Sequence, residues 1–228
     1  MGSIIRLHNI HKSYFTKHNE TPVLFGLNLE FEEGSFNSII GQSGSGKSTL
    51  LNIIGTLDVP TAGDVYYGDT RATDMTPAEL SNLRNSMIGF VFQSHYLLPE
   101  FTVFENILMP SLINSKSSEE KRKRAEELIE LVGLAKQKNN LATDISGGQQ
   151  QRTAIARALM NNPKVILADE PTGNLDSVLS RTIYDLFRDI NKQTRTTFIV
   201  ITHDERIANE TDRIIEIKDG KIIRDAAK

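Results

Sequence analysis

Eight consecutive residues that begin at Gly41 have the types and spacing of a phosphate-binding loop. They read Gly-Gln-Ser-Gly-Ser-Gly-Lys-Ser, which fits the pattern of glycine, four variable residues, Gly-Lys and then Ser or Thr. The glycines allow a tight bend that directs backbone N–H groups at phosphate oxygens, Lys47 would neutralise the β- and γ-phosphates, and the Ser48 hydroxyl would ligate Mg²⁺. The pattern predicts a nucleotide site but does not distinguish ATPases from kinases or GTPases. Its predicted contacts are Gly41, Ser43, Gly44, Ser45, Gly46, Lys47, Ser48 and Thr49.

Two carboxylates follow an apolar run later in the chain. Asp169 and Glu170 come directly after Val-Ile-Leu-Ala, and the carboxyl end of such a strand is where α/β proteins bind their ligands. We expect Asp169 to hold Mg²⁺ and Glu170 to act as general base toward an attacking water. His203 follows a second apolar run and would reach the same edge, where it could donate to a phosphate or orient the water. A histidine at a strand end is, however, more often structural.

A second glycine element lies at residues 146–149, Ser-Gly-Gly-Gln, before an apolar helix. Ser146 and Gln149 have the spacing of a capping box, in which each side chain binds the other residue's backbone N–H. Capping alone does not explain the two glycines, which leave the first N–H groups of the helix able to meet a second anion.

Apolar runs around these chemical groups indicate the elements that position them. Residues 35–40 form such a run before the loop and residues 50–54 another after it, which predicts strand, loop and helix. Residues 165–168 and 198–201 are typical of strands buried on both faces of a parallel sheet. One edge of that sheet would therefore carry the loop, the acidic pair and His203.

The remaining segments predict an antiparallel and a helical part. Alternating apolar residues in the first 30 positions predict two strands, with Asn19 and Pro22 in the turn between them. Residues 76–143 are mainly helical in character, and residues 219–220, Asp-Gly, predict a hairpin near the end. The expected fold is α/β, with a parallel-sheet core, an antiparallel N-terminal β subdomain and a helical subdomain insertion. The apolar stripe of the inserted helix is Ala125, Leu128, Ile129 and Val132.

Composition narrows the class of protein. Of the 228 residues 39% are hydrophobic and 24% charged, with a net charge of −3 and no cysteine. This balance offers no electrostatic footprint for nucleic acid, and thiolate metal sites and disulfides are excluded. No apolar run approaches the roughly 18 residues that cross a bilayer, and the N-terminus lacks the apolar core of a signal peptide. We therefore expect the chain to stay where it is made and to reach a membrane only through a partner.

Further residues give the chain a family resemblance. Residues 144–149, Asp-Ile-Ser-Gly-Gly-Gln, resemble the signature motif of ATP-binding cassette (ABC) proteins, with Ile145 where leucine is commoner. The other hallmarks follow in the family's order over nearly the full chain. The resemblance implies one ABC ATP-binding domain over residues 1–228, a P-loop NTPase (RecA-like) core with a helical subdomain at about residues 94–160. These hallmarks are Tyr14 in the N-terminal sheet, Gln93 after a strand, Asp169-Glu170-Pro171, Gly173-Asn174-Leu175-Asp176 and Thr202-His203-Asp204.

The resemblance also implies an ATPase with specific residue roles. Tyr14 would stack on the adenine of ATP, a contact of about 1 kcal/mol. Gln93 would touch Mg²⁺ and the attacking water, and would link the site to the helical subdomain. With Lys47, Glu170 and His203, Gln93 would form the catalytic set.

A split active site follows from the same resemblance. Ser146, Gly147, Gly148 and Gln149 would bind the γ-phosphate of a nucleotide held by a second copy of the chain, and Asp176 would lie across the interface. ATP would then be enclosed in a homodimer. Closure by ATP would be a population shift, because ATP contacts both subunits only in the closed form.

Within the family, residues 93–102 and 168–176 resemble the lipoprotein-releasing and macrolide-exporter group. That group implies integral membrane permease subunits as partners, contacted through the helical subdomain, and a peripheral location on the cytoplasmic face of the inner membrane. The apolar residues Tyr96, Leu97, Leu98 and Phe101 would suit a groove for a permease helix or, equally, the buried core of the helical subdomain. A division- or signalling-type ABC ATPase that moves no substrate is the alternative. A DNA- or ribosome-acting ATPase is disfavoured by the single compact domain.

Overall fold

The computed structural model describes residues 2–113 and 117–228, apart from the side chains of residues 205 and 206. Its strands form a four-stranded antiparallel sheet in the order β2-β1-β4-β5 and a six-stranded sheet in the order β10-β9-β3-β8-β7-β6. The strands are β1 (Ser3–Phe15), β2 (Glu20–Glu32), β3 (Phe36–Ile40), β4 (Ala62–Tyr67), β5 (Thr70–Arg71), β6 (Ile88–Phe92), β7 (Val165–Asp169), β8 (Thr197–Ile201), β9 (Arg213–Lys218) and β10 (Lys221–Ala227).

The six-stranded sheet is the core that the sequence predicts. Strands β9, β3, β8, β7 and β6 are mutually parallel, and only β10 runs antiparallel, through its hairpin with β9. Strand β8 is buried over its full length and β7 over all but its last residue, which explains their continuous apolar sequences. The carboxyl ends of β3, β7 and β8 meet at one edge. The predicted α/β fold is confirmed.

Helices cover both faces of this sheet. One buried apolar cluster joins the sheet to α1 and the antiparallel sheet, and another joins it to α3, α4, α5 and α6. In the described part of the chain, no helix is both long enough and apolar enough to span a bilayer. The helices are α1 (Lys47–Ile54), α2 (Pro77–Met87), α3 (Val103–Leu108), α4 (Ser118–Leu131), α5 (Gly147–Leu159), α6 (Ser177–Thr194) and α7 (Glu205–Ala208), with short 3₁₀ turns at Ala72–Asp74, Met109–Ile113, Ala135–Gln137 and Ala142–Asp144.

Local sequence explains where these helices begin. Four of them start with a complete capping box, in which a Ser or Thr side chain accepts the N–H of a Glu or Gln three residues later. The predicted box at Ser146 is one of the four and is confirmed. The pairs are Thr76 with Glu79, Thr102 with Glu105, Ser117 with Glu120, and Ser146 with Gln149.

The antiparallel sheet corrects one detail of the prediction. The turn between β1 and β2 closes at Thr16 and Asn19, whose backbone N–H and carbonyl are 2.9 Å apart. Pro22, predicted to lie in that turn, instead lies within β2 opposite Ser13. Strand β2 is an edge strand, where the missing N–H of proline need not cost a ladder hydrogen bond.

The region between residues 76 and 143 is mixed rather than wholly helical. It contains β6, the edge strand of the large sheet, between α2 and α3. The predicted apolar stripe is confirmed, since its four residues from Ala125 to Val132 are all buried. The Asp-Gly hairpin is also confirmed, because Asp219 and Gly220 both have positive φ, as a two-residue turn between twisted strands requires.

Candidate active site

The glycine loop, residues 41–48, connects the carboxyl end of β3 to the start of α1. At two of its positions, Gly41 and Gly46, the backbone leaves no room for any residue other than glycine. Gly41 has φ +148°, and a Cβ there would lie 2.1 Å from the carbonyl oxygen of Ile217. Gly46 has φ +101°, and a Cβ there would lie 2.6 Å from a methyl group of Leu24. The loop is therefore held tightly against β9 and β2, which fixes the direction of its N–H groups.

The cation of the loop suits a phosphate. The buried Lys47 Nζ donates to the carbonyl oxygen of Gln42 at 2.8 Å, so this cation is held inside its own loop. Lys47 lines the described cleft together with Gly44, Gly46 and Ser48, and phosphate oxygens there would accept from its ammonium group. The predicted contact Ser45 does not line that cleft, and its shielded Oγ has no hydrogen-bond partner among the described residues. The residues present therefore fit the triphosphate of a nucleotide.

Asp169, at the end of β7, lies next to the loop. The Ser48 hydroxyl donates to Asp169 Oδ1 at 3.2 Å. Burial raises the pKa of Asp169 and nearby Glu170 adds to the rise, whereas Ser48 and Lys47 act in the opposite direction. A hydroxyl beside a partly desolvated carboxylate offers the hard oxygen ligands that Mg²⁺ prefers.

Glu170 and His203 face each other at the same sheet edge. His203 Nδ1 is 3.4 Å from Glu170 Oε2, and both residues line a cleft of about 610 Å³ that they share with the glycine loop. Glu170 has φ +44°, a left-handed conformation that costs a non-glycine residue about 1–2 kcal/mol. Its N–H donates to the carbonyl of Ile201 in β8 at 3.1 Å, which holds the turn. The carboxylate is thereby directed toward the cleft.

Gln93 lies beyond the end of β6 and is paired with the segment that follows Glu170. Its Nε2 donates to Asn174 Oδ1 at 3.3 Å, and Asn174 Nδ2 donates to the Gln93 carbonyl at 3.2 Å. Gly173 lies beneath this pair, because a Cβ there would be 2.5 Å from Gln93 Nε2. Gln93 is not among the residues that line the described cleft. Its contact with Mg²⁺ and water stays a prediction.

Tyr14 lies on β1 with its hydroxyl 2.9 Å from Asp58 Oδ2. Asp58 also accepts from the buried Lys12 Nζ at 2.5 Å, and that ammonium lies 4.8 Å from the centre of the Tyr14 ring. Lys12 and Asp58 were not identified from the sequence. Lys12 could have been, because it lies two residues before Tyr14 on the same strand and alternate residues of a strand share a face. The role of Tyr14 as an adenine platform stays a prediction.

The Ser146 element lies outside this cleft in the chain's own fold. The Ser146 N–H donates to Gln149 Oε1 at 2.9 Å, and the N-cap Ser146 and the first residue of α5, Gly147, are exposed. A Cβ at Gly148 would meet Leu179 of α6 at 3.4 Å. None of residues 146–149 lines the described cleft around the glycine loop. A single copy of the chain therefore does not bring its two glycine elements together.

The glycine loop between a parallel strand and a helix, with an acidic strand end beside it, defines a P-loop nucleoside triphosphatase. The comparison with protein families specifies the class further. The sequence model of the protein family described as "ABC transporter" matches residues 24–173 of this chain. The chain belongs to this family and is an ATP-binding, ATP-hydrolysing subunit of the ABC type, as the motif order predicts.

Individual relatives match over nearly the whole of this chain. The chain is 46% identical to "Lipoprotein-releasing system ATP-binding protein LolD 1" of Rhodopseudomonas palustris, over 97% of this chain and 99% of that protein. It is 43% identical to "Macrolide export ATP-binding/permease protein MacB" of Rhodopirellula baltica, over 97% of this chain but 33% of that protein. Its fold matches a dimeric, post-hydrolysis structure of the ATP-binding cassette MJ0796 bound to ADP and Pi, with a TM-score of 0.90, 44% identity and 98% coverage of both chains.

Proposed function

We propose that this chain is the ATPase of a membrane complex of the lipoprotein-releasing or exporting kind. The observation that carries the proposal is the match to the lipoprotein-releasing ATP-binding protein from end to end of both chains. In this role the chain binds integral membrane permease subunits and lies peripherally on the cytoplasmic face of the inner membrane. The cargo would be a lipoprotein or a small exported molecule.

The working form in this proposal is a homodimer with ATP between its subunits. The argument is geometric, because residues 146–149 do not line the glycine-loop cleft of their own chain. The exposed N-terminus of α5 presents backbone N–H groups and the positive end of a helix dipole, which suit the γ-phosphate of a nucleotide bound by the partner. ATP then stabilises closure because it contacts both subunits only in the closed form.

In this proposal, several residues in and beside the cleft have chemical tasks in hydrolysis. Lys47 neutralises charge on the β- and γ-phosphates of the substrate, and Glu170 accepts the proton of the attacking water as the water oxygen bonds to the γ-phosphorus. The bond from that phosphorus to the oxygen of ADP breaks, and His203 donates to the phosphate so formed. Ser48, Asp169 and, by resemblance, Gln93 would hold Mg²⁺, which supplies charge neutralisation when bound.

A surface groove supports the permease as partner. The groove, of about 400 Å³, is lined by apolar residues that include Phe92, Pro110 and Ile113. Tyr96 packs edge-on against Phe92, with ring centres 5.3 Å apart, which continues the apolar surface toward residues 96–101. Such a groove suits the apolar face of an amphipathic helix.

The exposure of the apolar side chains after Gln93 supports one of their two interpretations, the docking groove, over the buried core. Tyr96 is 65% exposed, Leu98 40% and Phe101 37%, so these three side chains do not belong to the buried core. Only Leu97 is half-buried. A helical subdomain that leaves three large apolar side chains in solvent favours a docking surface.

The groove is also joined to α5. Arg157 of α5 lines it and donates to the carbonyl oxygens of His95 and Tyr96, both at 2.5 Å. His95 and Tyr96 have φ of +57° and +48°, a strained pair of left-handed residues. Arg157 therefore fixes the segment after Gln93 to the helix that begins at Ser146.

A substitution in the groove tests the partner. Ile113→Glu adds a charge at a 70%-exposed apolar position of the groove, so we expect the chain to lose co-purification with membranes while the ATPase rate of the isolated chain is unchanged. The matched control is Ile223→Glu on β10, where an isoleucine is 54% exposed outside the groove. Membrane binding by the Ile113 variant equal to the control would contradict the docking surface.

Identification of the co-purified partner tests the function as a whole. A permease whose cargo release or efflux requires this ATPase supports the proposal. An envelope protein with which the chain hydrolyses ATP but moves no substrate would instead support the division- or signalling-type alternative and reject transport.

A substitution at Tyr14 tests the adenine platform. We expect Tyr14→Ala to raise KM for ATP about five-fold with kcat unchanged, because loss of about 1 kcal/mol of ring contact weakens ground-state and transition-state binding alike. Tyr14→Phe keeps the ring and loses only the hydrogen bond to Asp58, so its KM should stay near that of the wild type. Phe15→Ala, at the exposed neighbouring position, is the matched control. Equal KM values in all variants would remove Tyr14 from the nucleotide site.

A further inference from the structure

The groove proposed as the permease contact carries positive charge as well as apolar surface. Two of the described residues that line it are arginines, Arg84 from α2 and Arg157 from α5, and none of them is an aspartate or a glutamate. Both arginine side chains are half-buried. A guanidinium that is partly withdrawn from water needs a compensating partner, and a carboxylate is the partner that fits it best. An apolar occupant alone would therefore leave these two cations uncompensated.

The hydrogen-bonding groups of Arg157 are directed at its own chain. Its two terminal nitrogens donate to the carbonyl oxygens of His95 and Tyr96. Burial lowers the pKa of Arg157, and its charge also lowers the pKa of His95. Both acceptors are neutral, so they satisfy the donors of Arg157 without cancelling its charge. Arg157 thus makes the groove electropositive, although its terminal nitrogens are already engaged.

The guanidinium of Arg84 is fixed through one nitrogen and leaves one edge open. Its Nη1 donates to the carbonyl oxygen of Thr56 at 2.9 Å and to the Thr56 hydroxyl at 3.3 Å. Among the described residues, its Nε and Nη2 have no acceptor, and no carboxylate pairs with it. Two adjacent guanidinium nitrogens are the pair that binds both oxygens of a carboxylate in parallel. Arg84 therefore presents a fixed carboxylate-binding edge in the groove.

The amide side chains of the groove are used to hold its wall. Asn85 and Asn161 each donate to the carbonyl oxygen of Pro110, at 2.9 and 3.0 Å, and Asn161 donates to the Asn85 carbonyl as well. These bonds attach the turn that carries Pro110 to α2 and α5. Of the charged side chains that line the described groove, Arg84 is thus the one with donors left for an occupant.

We propose that the groove selects an acidic partner helix: its occupant is an amphipathic helix of the permease with an aspartate or glutamate, whose carboxylate binds Nε and Nη2 of Arg84. The inference rests on the proposed permease contact and adds the charge which that contact requires. The apolar face of the helix packs on the side of the groove formed by Phe92 and Ile113, and the ion pair fixes its position. A helix with a basic residue at that point is rejected by Arg84 and Arg157 together.

The test is Arg84→Gln in the full chain, measured as binding to vesicles reconstituted with the co-purified permease while the NaCl concentration is raised. We expect about ten-fold weaker binding at low salt and a much smaller salt dependence, because the ion pair that salt screens is absent. Arg84→Lys keeps the charge but not the paired donors, so its binding should be intermediate.

The matched control is Arg152→Gln on α5. Arg152 is also a half-buried arginine that donates to a carbonyl oxygen, that of Val132 at 3.4 Å, but it does not line the described groove. Its replacement should leave both the binding and the salt dependence unchanged. An equal loss of binding in the Arg84 and Arg152 variants would overturn the proposal.

If Arg84→Gln does not fold, the wild-type chain decides. Peptides that cover the cytoplasmic helices of the co-purified permease are measured with it by fluorescence anisotropy, each beside a copy in which amides replace the carboxylates. The peptide that binds should lose about ten-fold in affinity on this replacement. Equal affinity of the two copies would reject the acidic partner.

The remaining outcomes separate this inference from the proposed function and from a lipid ligand. Permease binding that is insensitive to salt and equal in wild type and Arg84→Gln rejects the acidic helix but leaves the permease as partner. Absence of any co-purified permease rejects the proposed function, and the inference with it. Binding of the wild-type chain to protein-free phosphatidylglycerol vesicles that is lost in Arg84→Gln would assign Arg84 to a lipid phosphate and overturn the inference.

Discussion

Glu170→Gln is expected to lower ATP turnover by at least about 100-fold while ATP binding is retained, because glutamine has nearly the same shape but cannot accept a proton from water. The variant should accumulate as an ATP-bound dimer, since the closed form opens only after hydrolysis. Size-exclusion chromatography with and without ATP, together with the rate of phosphate release, measures both effects.

The left-handed backbone at Glu170 is the reason for choosing glutamine as the replacement. Glutamate and glutamine have the same backbone strain at φ +44°, so a loss of activity in the variant reports on the missing carboxylate rather than on a rearranged turn. The control is Glu216→Gln on β9, which changes a half-buried glutamate on another strand of the same sheet and should leave turnover unchanged. Turnover near the wild-type rate in the Glu170 variant would remove Glu170 as general base.

Ser146→Arg is expected to abolish ATP-driven dimerisation while each chain still binds ATP with normal affinity. The arginine projects from the exposed start of α5, where the proposal puts the partner's γ-phosphate, and its bulk prevents the close approach of a second copy. ATP binding by the single chain is unaffected because residues 146–149 do not line its own cleft. Light scattering with ATP in the Glu170→Gln background, which prolongs the dimer, is the sensitive measurement.

The capping box provides a matched control for this substitution. Ser117 begins α4 with the same box, so Ser117→Arg should cost a similar amount of stability, about 1 kcal/mol, without an effect on dimerisation. Ser146→Ala removes the same cap and adds no bulk. A wild-type ATP-dependent dimer in the Ser146→Arg variant would show that α5 has no contact with a partner's nucleotide.

The parts of the site that sequence predicts are those specified by short, contiguous motifs. The loop at Gly41 and the carboxylates at Asp169 and Glu170 each end an apolar run, and parallel strands bring such ends to one edge whatever the loops between them. The capping box at Ser146 needs only a spacing of three residues. Local chain geometry is therefore sufficient to predict the loop, the two carboxylates and the capping box.

Contacts between residues distant in sequence could not be predicted in this way. The pairing of Gln93 with Asn174 joins residues 81 positions apart, and that of Tyr14 with Asp58 joins residues 44 apart. Each of these two contacts depends on the path of the loops that leave two different strands. The spacing of residues in the sequence does not determine that path.

The two hydrogen bonds from Arg157 to the carbonyl oxygens of His95 and Tyr96 have a mechanical consequence. From Arg157 to Ser146, α5 is a continuous helix of about 16 Å, at 1.5 Å per residue, and a helix of this length bends little under a small load. In the proposed complex, a partner that pushes on the groove at one end of α5 would therefore move the other end without local rearrangement of the helix. The same rigid helix would couple closure of the proposed dimer at Ser146 to movement of a partner bound at Tyr96.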